Sequence, residues 1–455
     1  VTKRHLALVS SALVILLLSP SSRAGDILDE DLAFADKLVA RKWDELAFKI
    51  FDRLITAAKT DKDRGKVYWA RAKWAHQHAI EAEVPPEIRS KYFDQAMRDC
   101  GEYLKTLPKD SYDAAKAQLQ LAETNLEWGD LIVRNAARII EYEKKAKAAE
   151  VPKAEEKPKE PEKGGAKEAA APGTVGKPKA DEAAKPDQKA PTDLKATPDE
   201  IKAKRKEGLD LCYGAMKTFD ELVKKYEGEF ENLSDQAEEN PKKFAKDGGE
   251  QRLRDISEIV IPAWLDSGRA RYMISKHLNK KDPVEGAEWK KLLDEAAATI
   301  GDVAFKYEGS DFAAWAALLY AQVEIELEER DKAEDFYVRV WEQCSRNKDL
   351  FKLAFTAYFE LTEAYINLKP VDLKKALSTA NKLVAACGDI KTVESLSAQL
   401  LKAEVLYKMA EDAKSKGEDF RPTAKDALSI AQKVEKQGGP TEGLAKHWIL
   451  KCSEL

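Results

Sequence analysis

The chain has 455 residues, 35% of them charged and 44% hydrophobic, and a net charge of −5. That length exceeds one domain of roughly 100–200 residues and can supply a sizeable core. Acids and bases are interleaved and no basic stripe emerges, which excludes a nucleic-acid partner. Period-two β-branched runs and hairpin dipeptides are nearly lacking, which excludes a sheet-built fold.

Residues 1–24 read as a secretory signal peptide. Lys3, Arg4 and His5 are followed by an apolar run over 6–18, broken at Pro20, with Ser22 and Ala24 at the positions a signal peptidase reads. The run is too short to span a bilayer comfortably. Cleavage after Ala24 is expected, leaving a mature chain without an integral span; an uncleaved membrane anchor is the competing reading. Val1 fits a bacterial chain written from an alternative start codon.

A first helical-repeat block is expected over 26–143. Asp26 is placed to cap its first helix, and further helices are expected over 43–58, 64–83 and 87–107. Pro85-Pro86 ends the third, because proline lacks an amide proton and restricts the residue before it. A last long helix or pair starts at Asp110-Ser111 and passes Trp128-Gly129.

Over 144–199 the composition turns to proline, alanine, lysine and glutamate, with no aromatic residue between Tyr142 and Tyr213. Such a stretch cannot bury enough apolar surface to offset a backbone ordering cost of roughly 1–2 kcal/mol per residue. It is expected to be a disordered, extended spacer.

The second block, 200–455, starts at Thr197-Pro198-Asp199-Glu200, a helix-opening signal. A helix to about Tyr226 is expected, then a polar stretch over 229–250 with Asn240-Pro241 and Gly248-Gly249 as breakers, read as a mobile insertion. A helix over 252–278 should bend at Pro262. Helix pairs then continue to Glu435, and 441–452 forms a closing helix.

One pattern runs through both blocks. Ala333, Tyr337 and Val340 stand four and three residues apart, on one face of a 3.6-residue helix. The same small-xxx-large-xx-large spacing begins at Ala47, Ala96, Ala215 and Ala296, with weaker copies at Ala376 and Ala427. Ala35 stands twelve residues before Ala47, and Ala321 twelve before Ala333, each on an implied partner helix. A small side chain lets two helix backbones approach closely, and the larger ones fill the space beside the crossing.

These residues resemble the tetratricopeptide repeat (TPR), which carries a small residue on helix A and Ala-xxx-Phe on helix B. Pro108, twelve residues after Ala96, stands where that family often ends a repeat. The copies here depart from the family period of about 34 residues, and the helix-A glycine is mostly missing. The fold class expected is therefore all-α: a TPR-like α-solenoid of antiparallel helix pairs. An irregular helical bundle is the competing reading. The resemblance implies a groove lined by A helices, with residues after the small position facing it. These are Asp36, Gln322 and Glu326.

The motifs that carry chemistry are missing: no phosphate-cradling loop, no nucleophile elbow and no His-Glu-x-x-His zinc helix. His76 and His78 lie about 200° apart around a helix and cannot easily share a metal ion. Glu394-Ser395 is similar to the catalytic pair of helical-superhelix lytic transglycosylases, but 396–400 departs from the cleft-building segment of that family. Cys100 takes a large apolar slot of its repeat. Cys344 and Cys387 occupy equivalent repeat positions on helices expected 8–10 Å apart, too far for a disulfide needing Cα atoms within about 7 Å. The tryptophans, Trp43 and Trp315 included, are assigned to apolar helix faces. The expectation is a non-catalytic, exported scaffold, periplasmic or extracellular, without cofactor or metal. Its partner would be a protein or peptide of the bacterial envelope. A cell-wall glycan is the alternative ligand, and a wall-cleaving enzyme the remote one.

Overall fold

The computed structural model describes residues 24–41, 43–81, 84–150, 197–307, 310–388 and 392–455. The signal peptide expected over 1–24 lies outside the described residues except for Ala24, and so does most of the expected spacer, 151–196. Among the described residues there are sixteen α-helices and no strand.

In chain order they are α1 (Ala24–Ala40), α2 (Asp44–Ala57), α3 (Asp61–Ile80), α4 (Pro86–Lys105), α5 (Tyr112–Glu150), α6 (Pro198–Glu239), α7 (Pro241–Lys246) and α8 (Gly249–Ser275). Then come α9 (Pro283–Lys306), α10 (Asp311–Glu326), α11 (Arg330–Cys344), α12 (Phe351–Asn367), α13 (Leu373–Cys387), α14 (Val393–Ser415), α15 (Arg421–Glu435) and α16 (Glu442–Glu454). Contacts divide the chain into two units, one of Val1–Trp128 with Leu211–Leu455 and one of Gly129–Asp210.

In the larger unit each helix packs on the next, as in a helical-repeat solenoid: α8 through α16 form an unbroken chain of neighbours, as do α1 through α4. The seven alanines that open the repeat fall on seven helices, α2, α4, α6, α9, α11, α13 and α15, and every one is completely buried. Four residues on, Phe51, Cys100, Phe219, Ile300, Tyr337, Ala380 and Ala431 are buried too. Full burial of a large apolar side chain contributes about 1.5–3 kcal/mol, so Phe51, Phe219, Ile300 and Tyr337 anchor their pairs. Gly268 on α8 marks a close crossing with α9. A Cβ there would lie 2.3 Å from Ile300 Cγ1, so only glycine lets α8 meet the large slot of α9.

In the smaller unit the C-terminal part of α5 faces the first residues of α6. A Cβ on Gly208 would stand 2.6 Å from the Gly129 carbonyl oxygen. Ala136, Ile139 and Ile201 form a small apolar cluster. Thr197 and Glu200 close a reciprocal capping box: the Thr197 amide donates to Glu200 Oε2 at 2.6 Å, and the Glu200 amide donates to Thr197 Oγ1 at 3.3 Å.

Four expectations are corrected. The region after Asp110-Ser111 is one 39-residue helix, and its backbone runs to Glu150, inside the expected spacer. Asp26 lies within α1 rather than before it. The expected insertion over 229–250 is helical: α6 continues to Glu239, and Phe230 and Leu233 are buried. Those two extend the inward row of Phe219, Leu222 and Tyr226, while Phe244 of α7 packs over Gly249, where a Cβ would meet its ring at 2.3 Å. Finally, Trp43 and Trp315 are 43% and 53% exposed, unlike the buried Trp74 and Trp448.

Candidate binding face

In the larger unit α8, α10, α12, α14 and α16 also touch one another, each reaching its second neighbour, and α1 touches α3. Among the described residues no such contact joins α9, α11, α13 and α15. The first set are the A helices and the second the B helices of the pairs. A–A contact places side chains of successive pairs against each other, and several polar side chains meet along this face.

Between α3 and α5, His76 Nδ1 lies 3.0 Å from Thr124 Oγ1. Burial pulls the imidazole down to about 4, and the Arg269 guanidinium adds to the shift. Between α5 and α8, Arg269 pairs with Glu127 and approaches Asp266 at 3.5 Å. Burial, then the adjoining Glu123 carboxylate, pushes Asp266 well above the usual carboxylate range, and burial raises Glu123. The pair therefore holds a proton that isolated carboxyls would release. Lys280, in the loop between α8 and α9, pairs with Glu326 of α10 at 3.0 Å, its ammonium 4.4 Å from the Trp289 ring centroid.

Gln322 of α10 donates from Nε2 to both Glu360 oxygens of α12, at 2.9 and 3.0 Å, and the Tyr337 hydroxyl donates to Glu360 Oε2 at 3.0 Å. Burial raises Glu360 even so. On the same face Glu363 is raised by burial and by the Glu404 and Glu360 charges, and Glu404 by burial. The helix that supplies Gln322 also carries exposed aromatic side chains. Phe312, Trp315, Leu319, Gln322 and Glu326 recur at three- and four-residue intervals along α10, and Phe312 and Trp315 are 44% and 53% exposed.

Gln322 and Glu326 thus lie on the A-helix face together, whereas Asp36 is exposed on α1 apart from them. Glu123, Arg269 and Glu404 were not singled out from sequence. They obey the rule that selected Gln322, for each follows a buried small residue: Ala122, Gly268 and Ala403 beside Ala321. Glu360 and Glu363 escape that rule, since Glu360 precedes the buried Leu361.

This face presents hydrogen-bonding, charged and aromatic side chains. None of the five cysteines, all among the described residues, forms a disulfide; burial pushes Cys100 up to about 12, far from a reactive thiolate. Ser395, beside Glu394, is buried and donates to the Gly388 carbonyl at 3.3 Å. Among the described residues no helix is long and apolar enough to cross a membrane.

Compared with known protein families and with characterised proteins, the chain finds no match. Among solved structures it is similar to a "circular tandem repeat protein with novel repeat topology and enhanced subunit contact surfaces", at 11% identity over 94% of this chain and 93% of that one, with a TM-score of 0.21. So distant a likeness carries no argument, and the fold stands on its own packing.

Proposed function

We propose that this chain is a non-catalytic protein-interaction scaffold of the TPR type, exported to the bacterial envelope, and that a peptide segment of a partner lies along the A-helix face. One observation carries the reading. The face formed by α10, α12 and α14 carries exposed Phe312 and Trp315 on α10, Glu360 and Glu363 on α12 and Glu404 on α14, three carboxylates for which the described residues supply no cation within ion-pair distance. Exposed aromatics beside carboxylates suit a segment with an apolar residue next to a lysine or arginine.

The test places a photo-crosslinking residue at Trp315 or Glu363, or at exposed Asp335 on the B helix α11. Peptide or protein adducts from envelope extract at the first two positions and not the third are expected. Adducts independent of position, or none, would end this reading. The exposed Trp315 also favours a second reading, stacking on a glycan; co-sedimentation with purified cell wall, abolished by Trp315→Ala, would establish it instead.

A further inference from the structure

A cleft of about 860 Å³ opens on the other side of α8, between α6 and α9. Its floor is α8, through Trp264, Ser267 and Arg271, which stand three and four residues apart. Asp266 and Arg269, on the A-helix face, do not line it.

The guanidinium in the floor is fully engaged. Arg271 holds both Asp220 oxygens at 3.0 Å and Glu295 at 3.1 Å, so it has little left for an anion. One end of the cleft is aromatic. Phe230, Trp264 and Tyr307 form a triangle with centroids 6.2–6.3 Å apart. The Tyr307 hydroxyl is buried without a hydrogen-bond partner. An ammonium already sits there: Lys306 Nζ is 4.9 Å from the Trp264 ring centroid and 3.1 Å from Glu231. Glu227, one turn back on α6, has no cation within ion-pair distance among the described residues, and neither has Asp302 across the cleft. Of the two lining lysines, Lys224 has no carboxylate within ion-pair distance among the described residues.

We propose that this recess binds an aliphatic diamine or polyamine, one ammonium replacing that of Lys306 over Trp264 and beside Glu231, the next reaching Glu227. Four residues of helix separate Glu227 and Glu231 by about 6 Å along the axis, close to the spacing of two amines on a four-carbon chain. The Lys306 side chain is 47% exposed and can swing into water without uncovering the core. The aromatic faces attract a cation more strongly once it leaves bulk water, and the Tyr307 oxygen gains a donor.

Titration calorimetry of the full chain with putrescine, spermidine and butylamine tests this. Saturable one-site binding of putrescine is expected, with butylamine weaker. Lys306→Ala should bind about tenfold tighter, because the internal competitor is gone, and Trp264→Leu about tenfold weaker. Glu227→Gln and Glu231→Gln should each weaken binding with an unchanged melting temperature, which separates loss of the site from loss of the fold. Non-saturating heats, or equal affinities across all four variants, would overturn the proposal. Tighter binding of a single-lysine peptide than of putrescine would also overturn it.

Discussion

Gln322 of α10 places one amide nitrogen against both carboxylate oxygens of Glu360 on α12, 38 residues along the chain. The same carboxylate accepts from the Tyr337 hydroxyl of α11, so one half-buried acceptor ties three helices. The two partners are not equivalent. Glu360→Ala leaves the Gln322 amide and the buried Tyr337 hydroxyl without an acceptor, at about 1–3 kcal/mol for each unsatisfied group. Gln322→Ala removes one donor and leaves Tyr337 in place. Chemical denaturation should find Glu360→Ala the more damaging, and the double variant less damaging than the sum. Equal losses from the two single changes would contradict the assignment.

The crossing of α8 and α9 gives a second test. Because a Cβ on Gly268 would meet Ile300 Cγ1 at 2.3 Å, Gly268→Ala forces the helices apart or Ile300 out of its slot. Overpacking of this kind costs about 1–3 kcal/mol. Ile300→Ala alone should cost about 2–5 kcal/mol through its cavity. Combined, the changes should cost clearly less than their sum, since the alanine at 268 grows into the space that Ile300 vacates. Simple additivity in urea unfolding would show that the two do not share the site.

These residues also show which parts of the fold could be read in advance. The seven alanines were legible because small-xxx-large-xx-large is a local signal, set by neighbours four and seven residues away. The continuation of α6 was overlooked because polar residues crowd 229–239, although Phe230 and Leu233 keep the inward spacing. Trp315 misled for another reason. Ala313, Ala314, Ala316 and Ala317 surround it, so α10 is apolar nearly all round and its pattern cannot say which face meets water. Gln322 and Glu326 were named from sequence as residues that follow Ala321 on α10. Arg269 meets Glu127 across 142 residues, a separation at which periodicity is silent.

Arg71 of α3 is a buried cation held bidentately by Asp99 of α4, at 2.7 and 2.8 Å, and also paired with Asp52 of α2. Removing one partner of a buried pair strands the other charge, so Asp99→Ala should destabilise by about 3–5 kcal/mol. Replacing both, with Arg71→Met and Asp99→Leu, should recover most of that loss, since no charge then stays in the core. Thermal melts of the three variants distinguish the outcomes. A double variant as unstable as Asp99→Ala would mean that the pair specifies the packing of α3 on α4 beyond its own charge balance.

His76 and Asp266 should give the chain opposed responses to pH. The His76 imidazole falls to about 4 when folded, so between pH 6.5 and 4 the unfolded chain binds a proton that the folded chain refuses. Its contribution is present above pH 6.5 and is lost as the pH falls through that window, up to about 3 kcal/mol at 1.36 kcal/mol per unit. The carboxyls run the other way. Asp266, Glu123, Glu360, Glu363 and Glu404 are all raised on folding, so the folded chain keeps protons that the unfolded chain has released. Their contribution is present below the unfolded value near pH 4 and is lost as the pH rises toward the folded values. Acidification from pH 7 to 5 should therefore raise the melting temperature of His76→Gln relative to wild type. It should lower that of Asp266→Asn relative to wild type, since one opposing carboxyl is gone. Scanning calorimetry at pH 7, 6 and 5 reads both slopes, and parallel profiles for the three proteins would refute the opposition.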